Sequence, residues 1–379
     1  MRFKVRFRRV EAAVRALLVQ WAKALNRRPP APADARSAGP AGPRPVLYLR
    51  YDRIGDMILA TGLLRALARA TPALAVDVLA SPENVSVLDG NPHVRSIILF
   101  ERRRPLSYVR TLRRIRRAGY DAVLDCQVFS PSTTTLLMML LSGARSRVGV
   151  ANRGIDEALT HPMPVPPGAA HVIEHTAALA GAFGVDPVYT DWRPELFFRD
   201  EELAAAELQW RGATDGEGRR RLLVNISAGK ASCRWPESQL EDLLGALAAR
   251  DPAPAVLLVA APSDLALATR LGEATGARVA RTPRIRDALA LVAMADLVLT
   301  PDTSITHAAS ALNKPALVML PRGKDGHWGP YRTTGRAITS PGRWLDTLPV
   351  APVFAALDEM LRAIESAEPA VLEHGSAGP

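Results

Sequence analysis

Four short segments of the 379-residue chain carry the side chains best suited to chemistry. The first, Tyr51-Asp52-Arg53-Ile54-Gly55-Asp56, directly follows the apolar run 46–50. Asp56 immediately precedes a helix expected over 57–70. It either caps that helix by accepting N–H bonds or acts as a catalytic carboxylate, since ligands of open parallel sheets gather at strand carboxyl ends. Gly55 stands alone, without GxGxxG, which argues against a dinucleotide-dependent dehydrogenase. The second segment, 225–237, puts Lys230 and Arg234 in a small-residue loop after an apolar strand and ahead of Pro236, a residue suited to a helix start. Such a loop can wrap phosphate oxygens with backbone N–H groups and set a cation on their charge; it can equally be a plain connection with exposed cations. In the third, 300–307, Asp302 can cap the next helix, leaving Thr303 and Ser304 to offer N–H and hydroxyl groups at a positive helix end, while His307 lies one turn in. A histidine there is either packed or catalytic. The fourth, 321–331, is glycine-rich and ends in His327-Trp328-Gly329-Pro330-Tyr331. The last three, each a loop after a strand of the C-terminal half, converge at one sheet edge and suggest phosphate-type chemistry without a metal-ligand set.

Alternating apolar strands and amphipathic helices must position these loops. The N-terminal half predicts strands at 46–50, 74–79, 96–100, 121–125 and 147–150, with helices at 57–70, 105–118, 132–142 and 171–184. An irregular stretch over 185–200 separates this from a second series. That series has strands at 222–226, 255–260, 278–280, 296–300 and 316–320, and helices at 200–211, 236–250, 263–275, 284–294, 303–312 and 352–365. The pattern is α/β: doubly wound parallel-sheet domains over 46–195 and 196–365, facing across a cleft. A basic arm and Pro/Ala/Gly-rich linker (1–45) precede them, and a frayed tail (366–379) follows.

The net charge is +10, and residues 1–45 hold eleven Lys/Arg against Glu11 and Asp34. The remaining chain is close to neutral, so a nucleic-acid-binding body is a poor reading. From about Val10 the arm repeats Val14, Leu17, Leu18, Trp21 and Leu25 at helical spacing, with cations mostly elsewhere. Such a helix suits a lipid interface, or packs on its own domain. No apolar run reaches membrane-span length, and Lys or Arg interrupts the N-terminus too often for a secretory signal. The two cysteines, Cys126 and Cys233, imply a reducing compartment and no structural zinc. Residues 101–117 add eight arginines against Glu101; this is either a solvated face or a contact for acceptor phosphates, carboxylates or anionic lipid.

Over most of 46–362 the chain resembles glycosyltransferase family 9, the ADP-heptose:lipopolysaccharide heptosyltransferases. The resemblance rests on RIGDMILATGLLRAL (53–67), YDAVLD (120–125), RVGV (147–150), HVIEHTAALAGAFGVD (171–186), RWPES (234–238), DLVLTPDTSITHAASALNKPALVML (296–320) and HWGPY (327–331). It implies a GT-B fold of two Rossmann-like domains and inverting, metal-independent transfer with no cofactor. The nucleotide-sugar donor, ADP-heptose or a relative, would bind the C-terminal domain. A lipid-linked glycan acceptor would bind the N-terminal domain. Asp56 matches the family's general base. Asp302, Thr303, Ser304 and His307 fall on its diphosphate-binding segment, and Asp264 is the nearest match to its ribose-binding acid. Cys233 stands where the family often has a lysine, leaving Lys230 or Arg234 to meet the donor phosphates. Arg53, Arg113 and Arg114 are the acceptor-contact candidates. The implied location is the inner face of the cytoplasmic membrane, reached through the basic arm. Two rivals stand: a non-catalytic sugar-nucleotide or membrane-surface binding module of this fold, which Cys233 favours, and a GT-B transferase with another donor sugar.

Overall fold

The structure is a computed structural model that describes residues 11, 13–21, 44–70, 74–151, 154–188, 190–214, 218–230, 233–323 and 327–366. Of the linker expected over 29–45 and the tail expected over 366–379, residues 29–43 and 367–379 lie outside these residues, while 44–45 belong to a strand and Ser366 ends a helix. The described chain forms two compact units. One comprises residues up to Asp200 with Ser310–Leu312 and Gly326–Arg332, and the other holds the remainder from Glu201 onward.

The first unit opens with α1 (11–21), then runs β1 (Arg44–Leu49), α2 (Ile54–Ala70), β2 (Leu74–Ala80), β3 (Ser96–Leu99), α3 (Pro105–Ala118), β4 (Ala122–Asp125), α4 (Thr133–Leu141), β5 (Ser146–Val150), β6 (His161–Met163) and α5 (Val172–Ala177). Its six parallel strands are ordered β3-β2-β1-β4-β5-β6. β1 and β2 pair from Arg44↔Leu74 to Leu49↔Leu79, and β1 also pairs with β4. Strand order reverses between β1 and β4, so the carboxyl ends of these two strands flank the switch point where α/β sheets bind ligands. Right-handed crossovers put α2 on one face and α3 with α4 on the other. On the latter face Ile115 of α3 and Met138 and Met139 of α4 bury against Leu47, Leu49 and Val123.

The second unit runs α6 (Asp200–Thr214), β7 (Arg221–Asn225), α7 (Glu237–Ala248), β8 (Ala255–Val259), α8 (Leu265–Thr275), β9 (Arg278–Val279), α9 (Ile285–Met294), β10 (Leu297–Pro301), α10 (Ser304–Ala311), β11 (Ala316–Leu320), β12 (Gly335–Thr339) and α11 (Val350–Ser366). Its parallel sheet is ordered β12-β11-β10-β7-β8-β9, with the switch point between β7 and β10. Strands β7, β10 and β11 are buried almost throughout, hence their uninterrupted apolar runs.

Several expectations need correction. The helix expected from 57 begins at Ile54, so Asp56 lies in its first turn rather than ahead of it. Met57 N–H already donates to the Arg53 carbonyl at 3.1 Å, closing the first helical ring around Gly55. The helix expected over 171–184 divides into α5 and a tighter 3-10 turn over Ala178–Phe183, ended by Gly184 at φ 77°. The edge strands β6 and β12 were not expected from the sequence. β6 has only three residues, and β12 lies on an exposed edge, so neither presents an apolar run. The irregular 185–199 stretch is packed rather than loose. Trp192 is buried and donates its indole N–H to Pro187, and Glu195 N–H donates to the Thr61 hydroxyl of α2.

Candidate active site

In the first unit the carboxyl end of β1 is organised by a buried cation, Arg50. It is 5% exposed and donates to Asp52 Oδ2 at 2.8 Å, to the Tyr48 hydroxyl at 3.1 Å and to the Cys126 carbonyl at 3.0 Å. Asn84 fixes the same turn, donating to the Arg50 carbonyl and accepting from Ser81 N–H. Burial opposes the guanidinium's charge, but Asp52, Cys126, Tyr48 and Asp56 together hold its pKa well above the ordinary value. Burial also pushes the Cys126 thiol far up, leaving it an inert thiol. Asp56 sits within the Coulomb field of Arg50, in the first turn of α2 where the helix dipole favours a carboxylate. Asp52 supplies a second carboxylate, whose Oδ1 is buried without a hydrogen-bond partner.

Arg53 is exposed beside this turn. Arg113 and Arg114 are exposed in the second half of α3, with Arg114 donating to the Ile97 carbonyl. Of the arginines in 101–117, the one that reaches the β1 edge is Arg102, stacked over the Tyr51 ring at 5.9 Å. Tyr51 is itself fixed by Thr135 Oγ1 at 2.7 Å and by an edge-to-face contact with Phe100. The His327–Tyr331 segment belongs to this unit as well, not to the C-terminal sheet edge where its place after β11 had set it. His171 accepts from Ile173 N–H through Nδ1 and donates from Nε2 to the Gly329 carbonyl at 3.2 Å. Accepting at Nδ1 needs the neutral ring, and burial lowers its pKa to about 4. Phe129 packs against His175, His327 and Trp328.

In the second unit the loops after β7, β8 and β10 are tied together at one edge. Asn225 Nδ2 donates to Thr300 Oγ1 at 3.0 Å and to Thr303 Oγ1 at 3.1 Å. Ser227 N–H donates to Asn225 Oδ1, and Ser227 Oγ accepts from Ala261 N–H at 2.7 Å. Thr303 Oγ1 accepts from Ile305 N–H, so Thr303 caps α10, a role expected of Asp302. The Thr303 hydroxyl is therefore engaged in the loop network rather than held open. Asp302 and Ser304 flank it, half-buried, and His307 is buried one turn further along.

Arg234 and Asp264 come together as a salt bridge of 2.9 Å, with Asp264 buried and Arg234 half exposed. Cys233 is buried, and Trp235 anchors its loop by donating to the Leu348 carbonyl at 2.9 Å. Lys230 is exposed at the loop tip, its carbonyl accepting from Cys233 N–H. Sequence reasoning missed Arg50, Asn84, Asn225, Ser227 and Thr300. A polar side chain ending an otherwise apolar strand was the available signal for Arg50, Asn225 and Thr300.

Two six-stranded parallel sheets, each with its polar loops at the carboxyl edge around a switch point, make a GT-B fold of two Rossmann-like domains. The family model for glycosyltransferase family 9 (heptosyltransferase) matches residues 108–346, and the chain belongs to that family. The chain is 20% identical over 343 residues to lipopolysaccharide heptosyltransferase 3 of Escherichia coli, covering 81% of this chain and 96% of that protein. A family 9 glycosyltransferase of Veillonella parvula superposes with a TM-score of 0.75 at 15% identity, over 86% of this chain and all (100%) of that one. The E. coli heptosyltransferase WaaC with ADP-2-deoxy-2-fluoro heptose superposes with a TM-score of 0.66 at 19% identity, over 83% and 99% of the two chains.

Proposed function

We propose that this glycosyltransferase moves a heptose, or a closely related sugar, from a nucleoside-diphosphate donor to a lipopolysaccharide core or related lipid-linked glycan. ADP-heptose is the first donor to test, because the similar E. coli enzyme is described with an ADP-heptose analogue. The observation that carries the reading is Asp56 in the first turn of α2, beside buried Arg50 at the carboxyl end of β1.

An acceptor hydroxyl is a poor nucleophile until a base takes its proton. Asp56 accepts that proton as the hydroxyl oxygen attacks the anomeric carbon. The bond from that carbon to the diphosphate oxygen breaks, and the nucleoside diphosphate leaves with the electron pair. Attack opposite the leaving group inverts the anomeric centre. The start of α10, with Asp302, Thr303 and Ser304, meets the growing diphosphate charge through N–H groups and the helix dipole, and His307 backs it. Lys230 adds a mobile cation, so the reaction needs no metal. Asp264 meets the ribose and Arg234 the phosphates once their mutual salt bridge is exchanged for the donor. Arg53, Arg113 and Arg114 serve the anionic acceptor, the latter pair at a distance from the reacting groups. The sugar nucleotide binds the second unit and the acceptor the first. The enzyme works at the inner face of the cytoplasmic membrane, where its basic N-terminal arm meets anionic lipid.

Purified enzyme incubated with ADP-heptose and truncated lipopolysaccharide should yield acceptor one heptose heavier by mass spectrometry. Asp56→Asn should lose about 10²–10⁴ in rate while retaining donor binding. Donor binding is read separately by thermal shift, where a hundredfold excess over Kd stabilises by about 2.7 kcal/mol. Wild-type turnover by Asp56→Asn removes the base from Asp56. Buried Cys233, at a position where a lysine is common, favours a second reading in which the donor carries another sugar or nucleotide. A screen of nucleotide sugars separates the two.

A further inference from the structure

The first unit exposes large apolar side chains on α1, α3 and the edge strand β3, and most of the cations near them have no carboxylate partner among the described residues. α1 docks on α4: Val19 is buried with Leu136, Ile155 and Ala158, Leu18 packs beside them, and Arg15 donates to the Pro131 carbonyl at 3.2 Å. This docking turns Val14, Leu17 and Trp21, spaced three and four apart, outward. Next to α4 on the same face, α3 buries Thr111 and Ile115 and turns Leu106, Val109 and Arg113 outward as one stripe. Leu99, at the end of edge strand β3, lines a groove with Leu106 and Arg110 of α3. All six apolar side chains are between 43% and 70% exposed.

The charge around them is mostly positive, although Arg104, just ahead of α3, pairs with Glu101 at 2.9 Å. Among the described residues Arg110, Arg113, Arg116 and Arg117 make no salt bridge, whereas Arg65, Arg221, Arg250 and Arg286 each meet a carboxylate. The ten residues preceding α1 carry Arg2, Lys4, Arg6, Arg8 and Arg9 and no acid. Apolar side chains in a field of unpaired cations are costly to leave in water. They complement a surface whose outer layer is anionic and whose next layer is hydrocarbon.

We propose that α1 and α3 together form one membrane-contact face, seated on an anionic lipid bilayer with Leu17, Trp21, Leu106 and Val109 entering the interface. This deepens the membrane association proposed above and rests on it: the arm is one edge of a rigid docking face rather than a loose tether. α3 begins at the carboxyl edge of the sheet, the edge that carries Asp56, and Arg102 ahead of α3 reaches Tyr51 on that edge. A lipid-linked glycan rising from the bilayer thus meets the Asp56 edge along a short basic path.

The test is flotation of the full chain with vesicles of phosphatidylglycerol and phosphatidylethanolamine, against vesicles of phosphatidylcholine. Two variant pairs are compared with wild type, Leu17→Glu with Trp21→Glu on α1, and Leu106→Glu with Val109→Glu on α3. Wild type should bind the anionic vesicles and not the zwitterionic ones. Each pair should weaken binding about tenfold or more, through lost apolar insertion and added repulsion. Melting temperature, elution volume and turnover on a delipidated acceptor should stay unchanged. Anionic binding that survives the α3 pair but not the α1 pair overturns the composite face and leaves the arm as the sole anchor. Wild type that ignores anionic vesicles overturns both. A changed elution volume with vesicle binding intact overturns the lipid assignment in favour of a second copy of the chain on this face.

Discussion

Arg50→Met is the most informative single change in the first unit. The methionine keeps most of the stem's volume and removes the charge and every donor. Three groups lose a partner: Asp52, bonded at 2.8 Å; the Tyr48 hydroxyl, at 3.1 Å; and the Cys126 carbonyl, at 3.0 Å. Breaking a fully buried ion pair from one side costs about 3–5 kcal/mol. The Asp52 side chain keeps 22% of its exposure, so water softens its loss and the pair belongs at the low end of that range. Orphaning a buried hydroxyl and a carbonyl adds about 1–3 kcal/mol each, not fully additively. A total of about 5 kcal/mol is expected, read as a lower urea midpoint at unchanged slope. Activity should respond separately. Arg50 attracts a charged Asp56, so its removal disfavours that carboxylate, and the acid limb of kcat/KM should move to higher pH. Arg50→Lys keeps the charge but not the forked donors, and should restore the limb more fully than the stability. Arg50→Met with Asp52→Asn should regain much of the lost stability, because the uncompensated carboxylate carries most of the cost. Stability within about 0.5 kcal/mol of wild type, together with an unmoved acid limb, would refute the assignment of Arg50 as organiser of this edge.

Three further outcomes follow from particular contacts. His171 is neutral in the fold, with its pKa lowered to about 4 by burial, against an ordinary 6.5. The unfolded chain therefore binds more protons between these values; stability is complete above about pH 6.5 and falls by roughly 2–4 kcal/mol as pH drops towards 4. His171→Asn should flatten that fall in chemical denaturation, and an unchanged slope would shift the cause elsewhere. A Cβ added to Gly62 would lie 2.4 Å from the Trp192 carbonyl oxygen, so Gly62→Ala should cost about 1–3 kcal/mol in thermal melting as α2 is forced off the 185–199 stretch. In the second unit Arg286 and Glu202 form a buried bidentate pair at 2.6 and 2.5 Å. Glu202→Ala should cost about 3–5 kcal/mol, whereas Glu202→Leu with Arg286→Met should be near neutral; equal losses in single and double variants would contradict this account.

The fold was legible where burial on both faces of a parallel sheet writes an apolar run into the chain. LAVDVLA at β2 and AVLLV at β8 are such runs, and both were expected. β6 and β12 were not, because edge strands need no apolar face to pair through their backbone. The start of α2 was missed for a related reason. Glycine at 55 reads as a breaker, yet the N–H bond from Met57 to Arg53 carries the helix through it. This shift moves Asp56 from the residue ahead of the helix to its third position, where a carboxylate can accept the N-cap N–H and favour the helix dipole as well as act on a ligand.

Site residues were legible only where their partners are close in sequence. The order Asp302-Thr303-Ser304 marked α10, but the network bracing its start depends on Asn225, 75 and 78 residues before its partners Thr300 and Thr303. His171 and Gly329, 158 residues apart, are joined by one hydrogen bond, which places the His327–Tyr331 segment with the first unit. The net charge of +10 shows the same limit most clearly. As a sum it cannot separate Arg50 and Arg286, buried and matched to carboxylates, from the arginines of α3, exposed and unmatched among the described residues. The buried arginines brace interiors, and substituting them should register as lost stability whatever the salt. Those on α3 face water with no carboxylate partner among the described residues, so their contribution should appear against an anionic surface and fade as salt screens it over a Debye length of about 10 Å at 0.1 M.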